Sequence, residues 1–283
     1  MGLPVCARLA DAGYELIAHD RRPGREEDAR SAGAEWAPDI RGVAAEADVL
    51  LTMLPGTLEL LTVMDIAIPE LPPAATWIDL TSSTPASARG LETRAATRGI
   101  GCLDAPVGGG PAAASAGELQ LFVGGAAELV ARHRELLQCL GAVEHVGAHG
   151  AGYASKLIVN LLWFGQAVAT GEALMLAKSM GIDLEVLRGV LERSPASSEF
   201  IRRDLDALLG GDYLESFGLD RCVEELRAVT DLAAGLGLPF QLSFEVSRAY
   251  ERALDRYGAV DGELLAVALL EEQAGTRLRR GRG

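Results

Sequence analysis

Residues 48–54, Asp-Val-Leu-Leu-Thr-Met-Leu, form a short and almost continuous apolar run. A run of this length without helical spacing is typical of a strand that is buried on both faces of a parallel sheet. Similar runs occur on both sides of it, and helical segments separate them. The predicted strands are 14–20, 48–54, 76–80, 101–104, 119–123 and 143–146, and the predicted helices are 4–12, 42–47, 85–97 and 126–140. This alternation predicts an α/β domain with a largely parallel sheet covered by helices on both faces.

The second half of the chain has a different pattern. No strand is predicted from Gly152 onward, and helices are predicted at 152–181, 183–193, 199–209, 217–236, 239–257 and 262–272. Gly181 is expected to close the first of these helices, and Asp183 and Asp261 are expected N-caps. We therefore predict two domains, an α/β domain at 1–147 and an all-helical domain at 148–283. The arginine-rich tail, 277–283, is expected to be frayed and solvated.

The composition argues against several classes of protein. A net charge of −14 and a pI near 4.8 argue against a nucleic-acid partner, because phosphate binding requires a basic surface. The four cysteines form no C-x-x-C pair and the four histidines show no metal-ligand spacing, so we expect reduced thiols, no metal and a cytoplasmic protein. The most apolar segment, 157–169, contains Asn160 and Gln166, which favours a buried helix over a membrane span. No secretion signal is expected either.

Lysine is rare in this chain, since only Lys156 and Lys178 occur among 26 basic residues. Lys156 and Asn160 lie four residues apart, so they share one face of the predicted helix. The nearby helix N-terminus and the apolar surroundings are both expected to lower the lysine pKa, as general acid/base catalysis requires. The alternative is a lysine that extends to solvent. The acidic residues of a later helix, Glu224, Glu225 and Asp231, are expected to be solvated.

Two further features are candidate binding elements. Asp20 ends a predicted strand, the position at which an acid can hold the adenosine ribose of a dinucleotide. Only Gly2 could represent the glycine-rich turn that should precede the helix before that strand. The glycines 108–110 allow backbone N–H groups to approach a carboxylate or phosphate. By themselves, these features have simpler explanations as well: Asp20 as a solvated acid and the glycines as a loose surface turn.

Five motifs in order resemble those of the β-hydroxyacid dehydrogenase family, and the resemblance runs from Met1 to about Glu272. The motifs are Met1-Gly-Leu-Pro, Ala18-His-Asp-Arg, Thr52-Met-Leu-Pro55 with Asp79-Leu-Thr-Ser-Ser-Thr-Pro85, Asp104-Ala-Pro-Val-Gly-Gly-Gly110, and Gly152-x-x-x-Lys156-x-x-x-Asn160. The resemblance implies an N-terminal Rossmann domain, an all-helical C-terminal domain and a homodimer or homotetramer joined through the latter.

The family also implies an activity and a set of site residues. It implies an NAD(P)-dependent oxidoreductase that interconverts a small β-hydroxy acid and its aldehyde or keto partner. Lys156 would exchange the hydroxyl proton and Asn160 would orient the reacting oxygen. The substrate would lie at Gly108, Gly109 and Gly110, and the cofactor at Gly2, Asp20, Arg21, Leu54, Pro55, Thr81 and Ser82.

The sequence leans towards NAD over NADP. Asp20 can accept hydrogen bonds from both ribose hydroxyls of NAD and would repel the extra phosphate of NADP. Arg21 and Arg22 favour that phosphate, but they are expected to point to solvent or to pair with Glu26 and Glu27.

The chain departs from the family pattern at three places. The family's first strand and first turn glycines, roughly ten residues, have no counterpart in the printed sequence. We expect a chain extended upstream by such a segment to bind the cofactor more tightly. Gly108 replaces the usual serine of the substrate loop, and Glu224 stands where the family commonly has a lysine. The glycine makes room and removes a donor, which favours a bulkier or less polar substrate.

Two other functions are compatible with the resemblance. A redox-inactive relative that serves as a binding or scaffold subunit would explain the absent glycine turn. An imine reductase would share the architecture, but Lys156 argues against it because those enzymes usually carry another residue there.

Overall fold

Helices and strands alternate through the first half of the computed structural model, which describes residues 1–280. The elements are α1 (Gly2–Asp11), β1 (Ile17–Ala18), a 3₁₀ turn (Pro23–Arg25), α2 (Glu26–Ser31), β2 (Glu35–Trp36), α3 (Ile40–Glu46), β3 (Val49–Thr52), α4 (Thr57–Glu70), β4 (Thr76–Asp79), α5 (Pro85–Ala96), β5 (Gly101–Asp104), β6 (Val107–Gly108), α6 (Gly110–Ala116), β7 (Leu119–Gly124), α7 (Ala127–Arg132), α8 (Arg134–Gln138) and β8 (Gly141–Gly147).

The strands form two separate hydrogen-bonded groups. β1 pairs in parallel with β2, whereas β3, β4, β5 and β7 lie side by side in a larger sheet that β6 and β8 extend at β7. β3, β4 and β5 are parallel, while β7 is antiparallel to β5 and parallel to β8. No strand in the described part of the chain joins β1 to β3. The carboxyl ends of β3 and β4 meet at one edge, so the loops after them are neighbours.

Apolar clusters cover both faces of the larger sheet. Neighbouring residues of β4 belong to different clusters, Ile78 to one and Trp77 to the other, as expected when successive side chains of a strand point to opposite faces. Helices α1, α6 and α8 pack on the Ile78 side with Val5, Leu9, Ala114, Leu136 and Leu137. Helices α4 and α5 pack on the Trp77 side with Leu60, Met64, Ala67, Leu91 and Ala95.

The second half is helical. It contains α9 (Ala151–Ser179), α10 (Leu184–Glu192), α11 (Glu199–Arg203), α12 (Leu205–Gly210), α13 (Leu219–Gly235), α14 (Leu242–Tyr257) and α15 (Leu265–Ala274). The chain divides into two compact units, Met1–Lys156 and Leu157–Gly283, so the division falls inside α9. The predicted boundary near Gly147 lies ahead of this helix.

α9 is long and apolar enough to cross a membrane by length and composition alone, and 33% of its most apolar window is buried. The expectation of a buried helix at 157–169 is wrong for one face of α9. Phe164 is 2% exposed, whereas Ile158 and Leu162 are 55% and 59% exposed. The helix therefore has one face in the core and one apolar face outside it.

Several predicted elements change in extent. The strand 14–20 shortens to β1, and β2, β6, α2, α4 and α6 were not predicted. The helix 126–140 divides at His133, whose Nε2 lies 2.8 Å from Thr76 Oγ1. The helix 199–209 divides at Asp204, whose carboxylate accepts a hydrogen bond from Trp163 Nε1. In both places a side-chain hydrogen bond to another element accompanies the break.

The predicted termini have mixed outcomes. Asp183 caps α10 by accepting a hydrogen bond from the Val186 N–H, which confirms that prediction. Gly181 has the positive φ, 76°, expected of the residue that closes α9. The N-cap at Asp261 is wrong, because α15 begins later and Asp261 instead forms an isolated bridge with Gly218.

The expectation of a solvated tail is also wrong as far as Arg280. Leu278 is fully buried, and its N–H donates to Glu271. Arg279 forms an ion pair of 3.0 Å with the same carboxylate, which is itself buried. The tail is therefore part of the helical unit, and residues 281–283 lie outside the described residues.

Candidate functional site

Asp20 lies just after β1, as the candidate ribose-binding acid should. Its carboxylate accepts hydrogen bonds from the Arg22 backbone N–H and from Arg22 Nε and Nη2, at 2.9–3.0 Å. These hydrogen bonds, with the Arg22 side chain making the largest contribution, hold the pKa of Asp20 below its usual value. Arg22 thus pairs with Asp20, and the alternative partners Glu26 and Glu27 are not used; Glu26 pairs with Arg30 instead. Arg21 is exposed.

The loops after β3 and β4 are tied together by Thr81. Its Oγ1 accepts a hydrogen bond from the Leu54 N–H at 3.1 Å, and the side chain is 1% exposed. Thr81 therefore shapes the loop that presents Leu54 and Pro55. Ser82 is only half-buried and is the more accessible hydroxyl at this edge of the sheet.

A buried carboxylate, Asp79, organises the end of β4. It accepts hydrogen bonds from Thr52 Oγ1, from the Thr81 N–H at 3.1 Å and from the Tyr153 hydroxyl. Trp77 Nε1 donates to the same Thr52 oxygen at 2.8 Å. Desolvation raises the pKa of Asp79 to about 6, against the opposing effect of its hydrogen bonds. The network connects the sheet edge to Tyr153 in the first turn of α9.

Asp104, at the end of β5, caps the start of α9. Its Oδ1 accepts from the Gly150 N–H at 2.7 Å and its Oδ2 from the Tyr153 N–H at 2.9 Å. The carboxylate therefore satisfies N–H groups that the helix itself leaves free. Burial raises the pKa of Asp104, although both hydrogen bonds oppose that shift. Asp104 stands in the segment that resembles the family's substrate loop, but its side chain serves the helix.

Glycines make this close approach possible. A Cβ on Gly152 would lie 2.2 Å from the Phe122 carbonyl oxygen and 2.7 Å from that of Asp104. A Cβ on Gly124 would lie 2.4 Å from Asp104 Oδ1. The first turn of α9 thus rests directly on the backbone of β5 and β7. This contact explains why the first position of the Gly152-x-x-x-Lys156 motif is a glycine: a side chain there would clash with the sheet backbone.

Lys156 lies one turn beyond this anchored start. It is half-buried, and the described residues offer its ammonium no hydrogen bond or ion pair. The anchoring groups Asp79, Asp104 and Tyr153 were missed as site residues at the sequence level. A signal was present, because both aspartates end short apolar strands that the sheet buries.

Asn160 follows one turn later on the same helix, where it donates from Nδ2 to Glu225 Oε2. Glu225 is 7% exposed, so the prediction of a solvated carboxylate is wrong at this position. Glu224 is exposed, as predicted, and pairs with Arg221. Because the amide nitrogen of Asn160 points at Glu225, the carbonyl oxygen of the same side chain points away from Glu225.

The three glycines of the candidate substrate loop differ in their roles. Gly109 and Gly110 have φ values of 114° and 70°, and a Cβ on Gly109 would lie 2.7 Å from the Ala113 Cβ. Gly108 lies in β6, where a Cβ would make ordinary contacts at 3.8 Å. Glycine is therefore required by the backbone at 109 but not at 108.

The residues of the first unit fit a nicotinamide dinucleotide. α1 begins at Gly2 without a side-chain cap, and a Cβ on Gly2 would meet nothing within 4 Å. A helix start of this kind suits a pyrophosphate. Asp20 keeps 35% of its side chain exposed. Its Oδ1 already accepts two hydrogen bonds from Arg22, whereas its Oδ2 accepts one and can accept another.

Asp79 gives the stability of the protein a specific pH dependence. Its folded-state pKa of about 6 exceeds the usual pKa of an aspartate, about 3.9. Between these values the folded state binds more protons than the unfolded state, so this group's contribution to stability falls as pH rises from 4 to 6. The loss is on the order of 3 kcal/mol. Asp79→Asn should remove this slope in urea unfolding measured across that range. Parallel pH profiles for the variant and the wild type would contradict the assignment.

Comparison with known proteins identifies the class of both halves. Residues 1–150 match the NAD-binding domain of 6-phosphogluconate dehydrogenase, and residues 150–270 match the NAD-binding domain of NADP-dependent 3-hydroxyisobutyrate dehydrogenase. An NAD-dependent L-serine dehydrogenase of Pseudomonas aeruginosa is 33% identical over 69% of this chain and 66% of its own length. The mitochondrial 3-hydroxyisobutyrate dehydrogenase of Mus musculus is 28% identical over 96% of this chain and 85% of its own.

Solved structures agree in fold. A Mycobacterium tuberculosis 3-hydroxyisobutyrate dehydrogenase, solved with L-serine, aligns with a TM-score of 0.87 at 26% identity, covering 95% of both chains. A Streptomyces aurantiacus imine reductase aligns with a TM-score of 0.59 at 21% identity, covering 95% of both chains, and so shares the fold alone.

These matches define a dinucleotide-binding α/β domain followed by a helical domain, as the sequence predicted. The chain belongs to the β-hydroxyacid dehydrogenase family. It is an NAD(P)-dependent dehydrogenase that acts on CH–OH groups and is similar to 3-hydroxyisobutyrate dehydrogenases.

Proposed function

We propose that the chain oxidises a small β-hydroxy acid at its primary hydroxyl, with Lys156 as the proton-transfer group. The observation that carries the proposal is the placement of Lys156, half-buried and one turn beyond a helix start that Asp104 fixes. When bound, the nicotinamide ring exchanges hydride with the substrate carbon. In oxidation the neutral amine of Lys156 takes the hydroxyl proton and becomes the ammonium, and in reduction that ammonium returns the proton.

Asn160 assists as a hydrogen-bond acceptor. Because its amide nitrogen donates to Glu225, its Oδ1 is the atom left to orient a substrate hydroxyl. Glu225 therefore acts through Asn160 by fixing which end of the amide points away from it. The backbone N–H groups of Gly109 and Gly110 are proposed to hold the substrate carboxylate.

The names of the relatives suggest the substrate class. L-Serine, 3-hydroxyisobutyrate and 2-(hydroxymethyl)glutarate, the substrates named for matching dehydrogenases, are all 3-hydroxypropionates that differ at C2. Gly108 brings no hydroxyl donor to the loop. We therefore propose that this chain favours an apolar C2 substituent, as in 3-hydroxyisobutyrate, over the ammonium of serine.

A panel of 3-hydroxypropionates with different C2 substituents tests this proposal. With NAD, kcat/KM should be highest for uncharged alkyl substituents and lower for serine. Gly108→Ser should be tolerated, since a Cβ fits there, and should shift the preference towards polar or smaller C2 substituents. A wild-type preference for serine, or a variant with an unchanged ranking, would contradict the role of Gly108.

NAD is proposed as the preferred cofactor. Arg22 is engaged with Asp20, which leaves the exposed Arg21 as the arginine available to the extra phosphate of NADP. The Asp20 carboxylate next to the ribose should weaken NADP binding, because it repels the negative charge of that phosphate. We expect kcat/KM to favour NAD, and Asp20→Ala to reduce that preference by impairing NAD use. A wild-type preference for NADP of about tenfold, or about 1.4 kcal/mol, would reverse the assignment.

A homodimer or homotetramer is proposed, joined through α9. At 100° per residue, the exposed residues Ile158, Leu162 and Leu176 of α9, with Met180 directly after its last residue, lie within about 40° of one another. Ala169 and Ala173 are exposed between them. This apolar stripe along α9 is of the kind that self-association buries.

Leu176→Glu places a charge on the stripe at a side chain that is 64% exposed. We expect light scattering to give a lower molar mass for the variant than for the wild-type oligomer, because burying an unpaired carboxylate in the interface costs free energy. Glu172→Gln, on the same helix, should keep the wild-type mass. A wild-type monomer, or an unchanged Leu176→Glu oligomer, would contradict the interface.

A cytoplasmic location is proposed as well. All four cysteines are free thiols in the described structure, which is typical of a reducing compartment.

A further inference from the structure

A cavity of about 380 Å³ opens on the first unit among α5, β5, the start of α7 and the loop before α9. This volume lies at the small end of the range for small-molecule sites. Its walls are mostly apolar and include Ala96, Ile100 and Leu129. None of the residues assigned above to the cofactor or the substrate lines it.

The inner end of the cavity carries an unsatisfied histidine. The His149 side chain is 3% exposed, and neither Nδ1 nor Nε2 has a hydrogen-bond partner. The ring packs edge-on against Tyr153, with centroids 6.4 Å apart, and lies 6.5 Å from the Trp77 ring. Buried polar groups normally find partners, so an imidazole in this position indicates that something else supplies one.

The mouth of the cavity carries a carboxylate. Glu92 has 44% of its side chain exposed, and its Oε2 lies 3.5 Å from His149 Nδ1. Cys102 also lines the cavity, but burial raises the pKa of its thiol to about 12, so it adds no charge. Asp104 is the other carboxylate close to His149, and it is committed to the N–H groups of Gly150 and Tyr153. Glu92 is therefore the carboxylate that lines the cavity.

These features select one class of ligand. An anion would be repelled by the Glu92 carboxylate. A neutral hydrocarbon would leave the imidazole nitrogens of His149 without a hydrogen-bond partner. A metal ion is not favoured, because the described residues contain no cluster of three or more suitable side chains. A small organic cation that can donate hydrogen bonds satisfies both polar groups and the apolar walls at once.

We propose that this cavity binds a small organic amine. Its ammonium group donates to the Glu92 carboxylate and to one imidazole nitrogen of His149, while its hydrocarbon part lies against Ile100 and Leu129.

Benzylamine is a suitable cationic probe. Benzyl alcohol and benzoate are control ligands of similar size that are neutral and anionic, respectively. Binding to the full chain is followed by ligand-observed NMR and calorimetry. We expect benzylamine to bind at least about tenfold more tightly than either control ligand. Glu92→Gln and His149→Phe should each weaken it about tenfold or more. Glu46→Gln, at an exposed carboxylate on α3, should bind as the wild type does.

His149→Gln serves as a second variant in case phenylalanine perturbs the packing, and near-UV circular dichroism checks the fold of each protein. No binding of benzylamine, equal binding of benzyl alcohol or benzoate, or binding that is insensitive to both Glu92→Gln and the folded His149 variants would overturn the proposal. Nicotinamide cofactor titration on the same samples is expected to match the wild type, so the result is independent of the proposed reaction.

Discussion

Lys156→Ala is expected to lower kcat by a factor on the order of 10²–10⁴ while cofactor affinity stays close to that of the wild type. The side chain is half-buried on α9, and its ammonium has no hydrogen bond or ion pair among the described residues. Truncation therefore removes the group that exchanges the substrate proton without removing a partner from another residue. Steady-state kinetics with the best substrate of the panel, together with calorimetric cofactor titration, measure the two effects separately.

Two matched variants distinguish proton transfer from charge. Lys156→Arg keeps the positive charge, but arginine does not release its proton near neutral pH, so it should be nearly as slow as the alanine variant. Lys178→Ala changes the other lysine of the chain, whose Nζ donates to the Arg277 carbonyl, and should leave kcat unchanged. An arginine variant with near wild-type kcat would mean that Lys156 supplies only charge.

Gly152→Ala is expected to destabilise the protein by on the order of 3 kcal/mol and to abolish most activity. The new Cβ would lie 2.2 Å from the Phe122 carbonyl oxygen and 2.8 Å from Asp104 Oδ2. Backbone atoms of a buried sheet cannot move aside easily, so the start of α9 must shift. That shift breaks the hydrogen bonds by which Asp104 caps α9. It also displaces Lys156, which lies one turn farther along the helix.

Gly165→Ala is the control on the same helix. There a Cβ would make an ordinary contact of 3.8 Å with Val246 Cγ2, and alanine favours a helix over glycine by roughly 1 kcal/mol. Urea unfolding should therefore show the control to be at least as stable as the wild type. Equal stability of the two alanine variants would refute the close contact at Gly152.

The sequence was sufficient for the fold class because short, almost continuous apolar runs such as 48–54 alternate with helical segments, a pattern typical of a parallel sheet covered on both faces. The scarcity of lysine in this chain also predicts a role for Lys156, and that role stays a prediction. The sequence could not supply the partners of α9. The link from Asp104 to Gly150 spans 46 positions and that from Tyr153 to Asp79 spans 74, and no local pattern encodes such pairs.

The sequence-based expectations of burial were wrong at three other places, also because contacts distant in the sequence decide them. The sequence suggests a surface charge at Glu225 because Glu224 stands next to it on a helix with several charged residues, yet Glu225 is buried beside Asn160. Leu278 reads as part of a solvated tail because arginines surround it, yet the carboxylate of Glu271 draws the tail into the helical unit. The exposed face of α9 reads as core because apolar residues occur around the whole helix. In each case the tertiary partner, which the sequence does not reveal, decides the burial.

The most direct test of the central claim follows the hydrogen that the reaction moves. 3-Hydroxyisobutyrate deuterated at C3 is incubated with the protein and NAD, and the cofactor is examined by NMR. We predict that deuterium appears at C4 of the reduced nicotinamide, at a rate that falls with Lys156→Ala. Absence of label with NAD, with NADP and with the other 3-hydroxypropionates of the panel would contradict the account and favour a redox-inactive relative.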